Sequence, residues 1–284
     1  MNLNKAYCSD LFQISSLKNT ANILHSVDLI VTSPPYMDIR DYGDEFNSNT
    51  GDVWEDWCLN VLEVLRQFMK ESGVIWWNTG SHYGDGHKLT NVYSMVARAE
   101  SELDLYLVDE IPWIKTSSPP KKFKNRPPAM WEHNYIFSKN PDLVEFNHDN
   151  VRRPYSSKTL ERMKYPVAGL HGGKDGEFTG KKMITPNPKG ALPYNWVQLP
   201  QDTTARPHPA TMQPQLANWA IRAYSKEGEL VMDPMCGAGT TLIEARRLGR
   251  NYIGFDLNQD YIDFANRSLE ELDAGNDPYK WFKE

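Results

Sequence analysis

The sequence predicts an α/β protein in which helices cover both faces of a mostly parallel sheet. Short apolar segments with strand character alternate along the chain with segments whose apolar residues recur at helical spacing. Two of the strands run into distinctive turns, TSPPY at 32–36 and DPMCGAGTT at 233–241. Such alternation is typical of domains that bury parallel strands between two helical layers. A chain of 284 residues is long enough for one large domain or two small ones.

The first part of the chain, up to residue 114, alternates regularly. A buried strand is predicted at 27–33, and Pro34 and Pro35 prevent its ladder from continuing. The apolar spacing of 53–70 predicts a helix, because Asp52 can cap its start and Gly73 lies just past its end. Strands are predicted at 73–80 and 105–111, and a helix at 89–100.

The pattern changes between residues 115 and 205. Eleven prolines, Gly-Gly and Lys-Lys pairs and little periodicity predict irregular structure there, apart from a strand at 133–139. Segments of this kind usually carry binding function or are disordered. Regular structure resumes at 206, with helices predicted at 212–225, 240–249 and 258–272 and strands at 229–233 and 251–256.

Charge is distributed unevenly along the chain, whose formal net charge is −6. Residues 115–190 contain 15 Lys and Arg against 7 Asp and Glu, whereas the remainder contains 16 against 30. A basic block inside an acidic chain indicates a surface for a polyanion. A solvated loop region is the alternative interpretation.

Several classes of protein are disfavoured by composition. No apolar run has the length of a membrane span, and the N-terminus, MNLNKAYCSD, lacks the regions of a signal peptide. Three widely spaced cysteines form no disulfide framework, so we expect a reducing cytoplasm. Neither CxxC nor HExxH occurs, so we expect no metal.

The DPMCGAGTT turn predicts a cofactor loop between a strand and a helix. Gly237 and Gly239 allow a tight turn and close approach of the backbone to a ligand. The next strand ends in Asp256, at a distance suited to binding ribose hydroxyls. No Lys follows the glycines as in a triphosphate-binding loop, so a nucleoside cofactor is favoured.

Together, TSPPY and the later DPMCGAGTT resemble the S-adenosylmethionine-dependent amino-methyltransferases of DNA. Their order, with the catalytic motif before the cofactor loop, is similar to the circularly permuted beta class. Similarity extends to CSD at 8–10, to the block 111–139 and to RPHPATMQPQL at 206–216. Met235, where the family usually has Phe, is a departure, and so are the bulky Trp76 and Trp77, which could belong to the core or shape the base pocket.

This resemblance implies a class I methyltransferase fold, with a seven-stranded, mostly parallel sheet. It divides the chain into a catalytic half at 1–140, a loop-rich target-recognition insert at 141–205 and a cofactor-binding half at 206–284. The cofactor would be S-adenosylmethionine. The implied partners are DNA, taken to be double-stranded, a cognate restriction endonuclease and a second copy of the chain.

The resemblance also assigns site residues. The catalytic turn would consist of Ser33, Pro34, Pro35 and Tyr36. The cofactor would contact Asp10, Asp233, Pro234, Gly237, Gly239, Thr240, Thr241 and Asp256. The basic residues expected on DNA are Lys115, Lys121, Lys122, Lys124, Arg126, Arg152 and Arg153.

The chemistry of an exocyclic amine explains the catalytic turn. The lone pair is delocalised into the ring, and two acceptors aimed at the N–H groups would draw it out. The Ser33 hydroxyl and the Pro34 carbonyl can accept, and the prolines position them in advance. Tyr36 can stack on a flipped base, which recovers about 1–3 kcal/mol of the few kcal/mol that flipping costs.

Ser33 favours the N4 amine of cytosine as the target, because Asp is typical of adenine N6 enzymes at this position. Methylation of cytosine C5 is disfavoured, since its cysteine nucleophile is missing: Cys236 lies in the cofactor loop and no Pro precedes it. The alternatives are an adenine N6 enzyme on the same fold, an RNA or protein amide methyltransferase, and a catalytically silent DNA-binding module. The order of motifs opposes the second alternative, and the intact motifs oppose the third.

Overall fold

A computed structural model describes residues 1–14, 20–35, 51–81, 92–117, 122–168, 181–202, 206 and 211–280. At 51–53, 167–168 and 181–182 it describes the backbone alone. Two of the predicted site residues, Tyr36 and Lys121, lie outside these ranges.

Strands and helices alternate along the first part of the chain. In order they are β1 (Lys5–Cys8), α1 (Leu11–Ile14), β2 (Val27–Thr32), α2 (Gly51–Phe68), β3 (Met69–Thr79), α3 (Tyr93–Leu103), β4 (Tyr106–Glu110), β5 (Trp113–Lys115) and β6 (Trp131–Ser138). Two short 3-10 helices follow at Pro141–Leu143 and His148–Asn150.

Shorter elements occupy the middle of the chain, and regular alternation returns near the C-terminus. These elements are α4 (Ser157–Met163), β7 (Val167–Ala168), β8 (Lys181–Lys182), β9 (Val197–Leu199), α5 (Pro214–Tyr224), β10 (Leu230–Asp233), α6 (Thr240–Arg247), β11 (Asn251–Asp256) and α7 (Gln259–Asp273).

The chain divides into two compact units, one at 1–146 with 195–284 and the other at 147–194. In the larger unit, nine strands of the described chain form one sheet in the order β1-β11-β10-β2-β3-β6-β5-β9, and β4 pairs with β6. Neighbours from β1 to β3 are parallel, whereas β6 is antiparallel to β3, β4 and β5. The last two strands of the sequence, β10 and β11, therefore lie between β1 and β2.

The strand count exceeds the predicted seven for two local reasons. Pro112 has no N–H to donate to a ladder, so the strand between 106 and 115 is interrupted and forms β4 and β5. The short β9 adds a parallel partner for β5, with Val197 opposite Trp113. Counting β4 and β5 together and setting β9 aside leaves seven strands.

The helices pack apolar faces onto the sheet as the sequence spacing predicts. On α2, the fully buried residues include Leu62, Leu65 and Phe68, which belong to one core cluster with Ile75 and Trp77 of β3. α7 begins at a side-chain cap, because Asn258 Oδ1 accepts hydrogen bonds from the backbone N–H groups of residues 260 and 261. No helix in the described part of the chain is long and apolar enough to span a membrane.

The smaller unit lies inside the predicted insert 141–205 and contains α4, β7 and β8. An isolated bridge between Arg153 and Ala191 joins its ends. Residues 195–202 belong to the larger unit instead, since β9 is part of the sheet.

Candidate active site

The carboxyl ends of five parallel strands bring the candidate site residues to one edge of the sheet. Asp10 follows β1, Asp256 and Asp233 end β11 and β10, Ser33 follows β2, and Asn78 is next to the last residue of β3. Ligands of open α/β sheets bind in the crevice at this edge. Residues from distant parts of the sequence therefore meet where a ligand is expected.

The loop between β10 and α6 depends on glycine. Gly237 and Gly239 have φ angles of 48° and 79°, in the left-handed region that favours glycine. A β-carbon at Gly239 would lie 2.7 Å from the β-carbon of Ala265. The loop therefore closes tightly on α7, and its backbone is left accessible rather than covered by side chains.

Asp256 is held in place by two backbone N–H groups. Its Oδ2 accepts a hydrogen bond from Gly237 at 2.8 Å, and its Oδ1 accepts one from Asn258 at 3.0 Å. A carboxylate has about four lone-pair sites, so it can still accept further hydrogen bonds from vicinal hydroxyls. On the neighbouring strand, Asp10 accepts from Phe12 N–H at 2.9 Å and thereby caps α1.

Asp233 is a buried carboxyl with an unusual titration. Burial raises its pKa to about 7, and the nearby Asp256 adds to this rise. The hydroxyls of Thr241 and Thr32 and the N–H of Met235 oppose it. Asp233 is therefore partly protonated near neutral pH. Pro234, which follows it in the turn, is also buried.

A buried arginine that the sequence interpretation missed supports the start of α6. Arg206 Nη1 donates to Thr240 Oγ1 at 2.6 Å, and the guanidinium also pairs with Asp202. The predicted cofactor residue Thr240 is thus anchored through its hydroxyl oxygen. Arg206 lies in the RPHP stretch that resembles the family, but that resemblance assigned no role to it.

The catalytic turn is fixed from two sides. Ser33 Oγ donates to Asn78 Oδ1 at 3.1 Å, and the indole N–H of Trp54 donates to Pro35 O at 3.0 Å. Pro34 is buried between them, and Ser33 is partly exposed. The turn thus presents the Ser33 hydroxyl from a rigid backbone, as its two prolines predict.

Behind Ser33 lies a buried amide cluster that the sequence did not indicate. Asn78 and Asn134 pair across β3 and β6, and Trp76 reaches the same cluster through its indole N–H. The only sequence feature that pointed here was the bulk of Trp76. The pairing itself depends on the register of two strands that are far apart in the chain.

His133 forms the centre of a second polar cluster beyond the end of β3. Its Nδ1 lies 2.6 Å from Glu110 Oε1, and its Nε2 lies 3.2 Å from Ser81 Oγ. Tyr135 stacks on the ring at a centroid distance of 5.2 Å. Burial, followed by the charge of Glu110, raises the pKa of the Tyr135 hydroxyl.

The predicted DNA-contacting residues fall into two groups. Lys122 and Lys124 are exposed. Lys115 is mostly buried and pairs with Glu132 at 2.5 Å, and Arg126 stacks on Phe123 at 3.7 Å.

The two arginines of the smaller unit make bonds within that unit. Arg152 bonds to Asp149 and to Gly190 O, while Arg153 stacks on Tyr194 and donates to Leu192 O. Both therefore shape the loop that they belong to.

Neither a metal cluster nor a reactive thiol is found at the described part of the site. No group of three or more His, Cys, Asp or Glu side chains there could hold a metal ion. Burial raises the pKa of the Cys236 thiol, which keeps it uncharged. The chemistry that the described residues offer is hydrogen bonding and positioning.

Comparison with known proteins gives matches along most of the chain. The family model for N6/N4 DNA methylases matches residues 27–267. The orphan methyltransferase M.BamHII of Bacillus amyloliquefaciens is 30% identical over 255 residues, which cover 86% of this chain and 89% of that protein. The Type II methyltransferase M.HpaI of Haemophilus parainfluenzae is 27% identical, with coverage of 93% and 74%.

Solved structures share the fold at lower sequence identity. The PvuII DNA methyltransferase (cytosine-N4-specific) has a TM-score of 0.67 at 19% identity, over 92% of this chain and 84% of that one. The DNA modification methylase TTHA0409 of Thermus thermophilus, solved with S-adenosyl-L-methionine, has a TM-score of 0.58 at 20% identity, with coverage of 94% and 93%. This likeness confirms the predicted class I methyltransferase fold.

Proposed function

The chain belongs to the N6/N4 DNA methylase family, and on that premise we propose that it methylates the exocyclic N4 amine of a cytosine flipped out of DNA. The methyl donor would be S-adenosylmethionine. The observation that carries the choice of amine is Ser33, which stands after β2 at the site edge of the sheet with its hydroxyl held by Asn78.

The cofactor loop fits a nucleoside-containing donor. A β-carbon would obstruct Gly239, and Asp256 is aimed by two backbone N–H groups. We assign Asp256 to the ribose hydroxyls, Asp10 to the side of the adenine, and the backbone of Gly237 and Gly239 to close contact with the cofactor. Pro234, Asp233, Thr240 and Thr241 are assigned to the end that carries the methionine group.

When bound, S-adenosylmethionine supplies an electrophilic methyl group, so the chain itself must orient the amine. In the proposed reaction, the Ser33 oxygen and the Pro34 carbonyl accept hydrogen bonds from the two amine N–H groups. The nitrogen lone pair then points at the methyl carbon, the new N–C bond forms as the C–S bond breaks, and one amine proton is released. Tyr36, which lies outside the described residues, is proposed to stack on the flipped base.

A second candidate is the N6 amine of adenine, because the matching family includes both kinds of enzyme. Both amines present the same two N–H groups to Ser33 and Pro34. The likeness to a cytosine-N4-specific structure supports cytosine at the level of fold only.

Product analysis distinguishes the two bases. Purified protein is incubated with duplex DNA and labelled S-adenosylmethionine, and the digested nucleosides are identified by mass spectrometry. We expect N4-methylcytosine, and we expect Ser33→Ala to lower its yield without changing its identity. N6-methyladenine as the sole product would overturn the choice of cytosine and leave the family assignment intact.

Target recognition is proposed for the unit at 147–194, together with the exposed Lys122 and Lys124. A cognate restriction endonuclease and a homodimer are further proposals. Sequencing of the neighbouring genes tests the first, and light scattering of the purified protein tests the second.

A further inference from the structure

A chain of hydrogen bonds leads from the indole of Trp76 to the hydroxyl of Ser33. We propose that Trp76 sets the direction of every bond in this chain and thereby makes Ser33 an acceptor toward the target amine. The inference rests on the proposed function. It assigns Trp76, Asn134 and Asn78 as positioning residues.

The orientation of the first amide follows from partners that can bond in one sense only. Trp76 Nε1 lies 2.9 Å from Asn134 Oδ1, and an indole N–H can donate but not accept. Asn134 Nδ2 lies 2.7 Å from the carbonyl of Ile111, which can accept but not donate. Asn134 must therefore direct its oxygen at Trp76 and its nitrogen at Ile111.

The second amide inherits its orientation from the first. Asn78 Nδ2 lies 3.0 Å from Asn134 Oδ1 and 3.2 Å from the carbonyl of His133. Both partners are acceptors, so the nitrogen of Asn78 must face them. Its oxygen is left directed at Ser33 Oγ, at 3.1 Å.

Ser33 completes the chain and receives its polarity. An amide oxygen only accepts, so the Ser33 hydroxyl must donate its single proton to Asn78. Toward any other group, the oxygen can act only as an acceptor. An amine N–H needs such an acceptor, whereas a reversed chain would turn the hydroxyl proton toward the nucleophilic nitrogen.

Burial and packing keep the chain from reversing. Asn78, Asn134 and Trp76 are 2%, 0% and 0% exposed, so a mismatched donor or acceptor could not turn to water. The Trp76 ring also packs between Trp219 and Tyr224, at centroid distances of 5.7 and 6.1 Å.

The next residue, Trp77, provides a matched control. It is also 0% exposed, but it belongs to the core cluster on the other face of the sheet. Its Nε1 has no hydrogen-bond partner among the described residues. Trp76→Phe and Trp77→Phe therefore remove the same group from adjacent buried positions, and only the first touches the chain.

The test measures single-turnover methyl transfer for both variants, in the wild-type and the Ser33→Ala backgrounds. We expect Trp76→Phe to lower the rate about five- to tenfold, as for one misdirected hydrogen bond, and Trp77→Phe to change it less than about twofold. In Ser33→Ala, we expect Trp76→Phe to have no further effect, because the hydroxyl that it orients is gone. Equal effects in both backgrounds, equal effects of the two variants, or no loss in Trp76→Phe would each overturn the proposal.

A second pair of variants keeps the test valid if Trp76→Phe folds poorly. Asn78→Asp, as a neutral buried acid, keeps an acceptor toward Ser33 and a donor toward Asn134, whereas Asn78→Ala keeps neither. We expect the Asp variant to transfer methyl at least about threefold faster than the Ala variant, with equal affinity for S-adenosylmethionine. Equal rates would overturn the proposal.

Nuclear magnetic resonance separates this proposal from the proposed function. We expect the side-chain amide protons of Asn78 and the indole proton of Trp76 to exchange slowly with solvent, and the Asn78 protons to exchange faster in Trp76→Phe. Failure of the wild-type protein to methylate any DNA would overturn the proposed function alone. Unchanged Asn78 exchange in the variant would overturn the chain of hydrogen bonds alone.

Discussion

Two residues at the start of the cofactor loop show how single positions set its properties. Gly239 begins α6 with a backbone angle that L-residues rarely adopt, and Asp233 ends β10 as a carboxyl without solvent. The first constrains the shape of the loop, and the second makes the stability of the loop depend on pH. Each effect can be separated from the methyl-transfer reaction by measuring unfolding.

Gly239→Ala should lower the free energy of unfolding by about 2 kcal/mol or more, through backbone strain and the approach to Ala265. Gly228→Ala is the matched control, because Gly228 also has positive φ, at 82°, but a β-carbon there would meet no atom within 4 Å. We expect the control to lose only about 1 kcal/mol. Urea unfolding of both variants checks this, and equal losses would contradict a steric role for Ala265.

Asp233→Asn should remove a pH dependence from the stability of the protein. Between about pH 4, where an unfolded Asp ionises, and the folded pKa of about 7, the folded state holds the proton more tightly. This contribution to stability is therefore complete below pH 4 and is lost as pH rises through 7. Relative to wild type, the variant should gain stability between pH 5 and pH 8, measured by urea unfolding without cofactor.

The comparison has an internal control of opposite sign. The Tyr279 N–H and then Lys280 lower the pKa of Asp277, so its contribution is present at neutral pH and lost in acid. Asp277→Asn should therefore lose stability relative to wild type at pH 8, and less at pH 3. An unchanged difference between wild type and Asp233→Asn across the range would show that Asp233 is ionised in the folded state.

At the scale of elements, the sequence predicted what depends on local periodicity. The helix at 53–70 and the strands at 27–33 and 251–256 lie close to α2, β2 and β11, because their apolar spacing is set within the element. The Asn78–Asn134 pair could not be predicted in this way. It depends on an antiparallel register between β3 and β6 that only the folded sheet supplies. The pairing of Arg206 with Asp202 and Thr240 likewise depends on how an irregular segment packs.

The segment between β5 and β6 carries the charge test. Reversal of Lys122 and Lys124 to Glu should weaken DNA binding and make the slope of log affinity against log salt shallower by about 1–2. Lys5→Glu with Lys226→Glu makes the same change in net charge at exposed positions near the amino ends of β1 and β10, away from the site edge. We expect this control to leave the slope nearly unchanged. Equal slopes for both double variants, measured by fluorescence anisotropy, would place the segment off the DNA path.

At the scale of the whole molecule, the two halves of the sequence form one sheet, and a separate unit interrupts them. β10 and β11 are inserted between β1 and β2, so the cofactor loop and the catalytic turn share one edge although about 200 residues separate them. The unit at 147–194 contributes no strand to this sheet. Chemistry and recognition can therefore be divided between the two units, and this division can be tested by exchange.

Replacing residues 147–194 with the corresponding segment of M.BamHII should change which DNA sequence is methylated and leave the modified atom unchanged. The reason is that Ser33, Asn78 and the cofactor loop all lie in the larger unit, whereas the exchanged residues bond mainly among themselves through Arg152 and Arg153. Sequencing of plasmid DNA with detection of modified bases gives both the site and the atom. The Ser33→Ala chimera is the control for background methylation. A chimera that keeps the original site would show that recognition lies in the larger unit, and a changed atom would show that the smaller unit takes part in choosing the base.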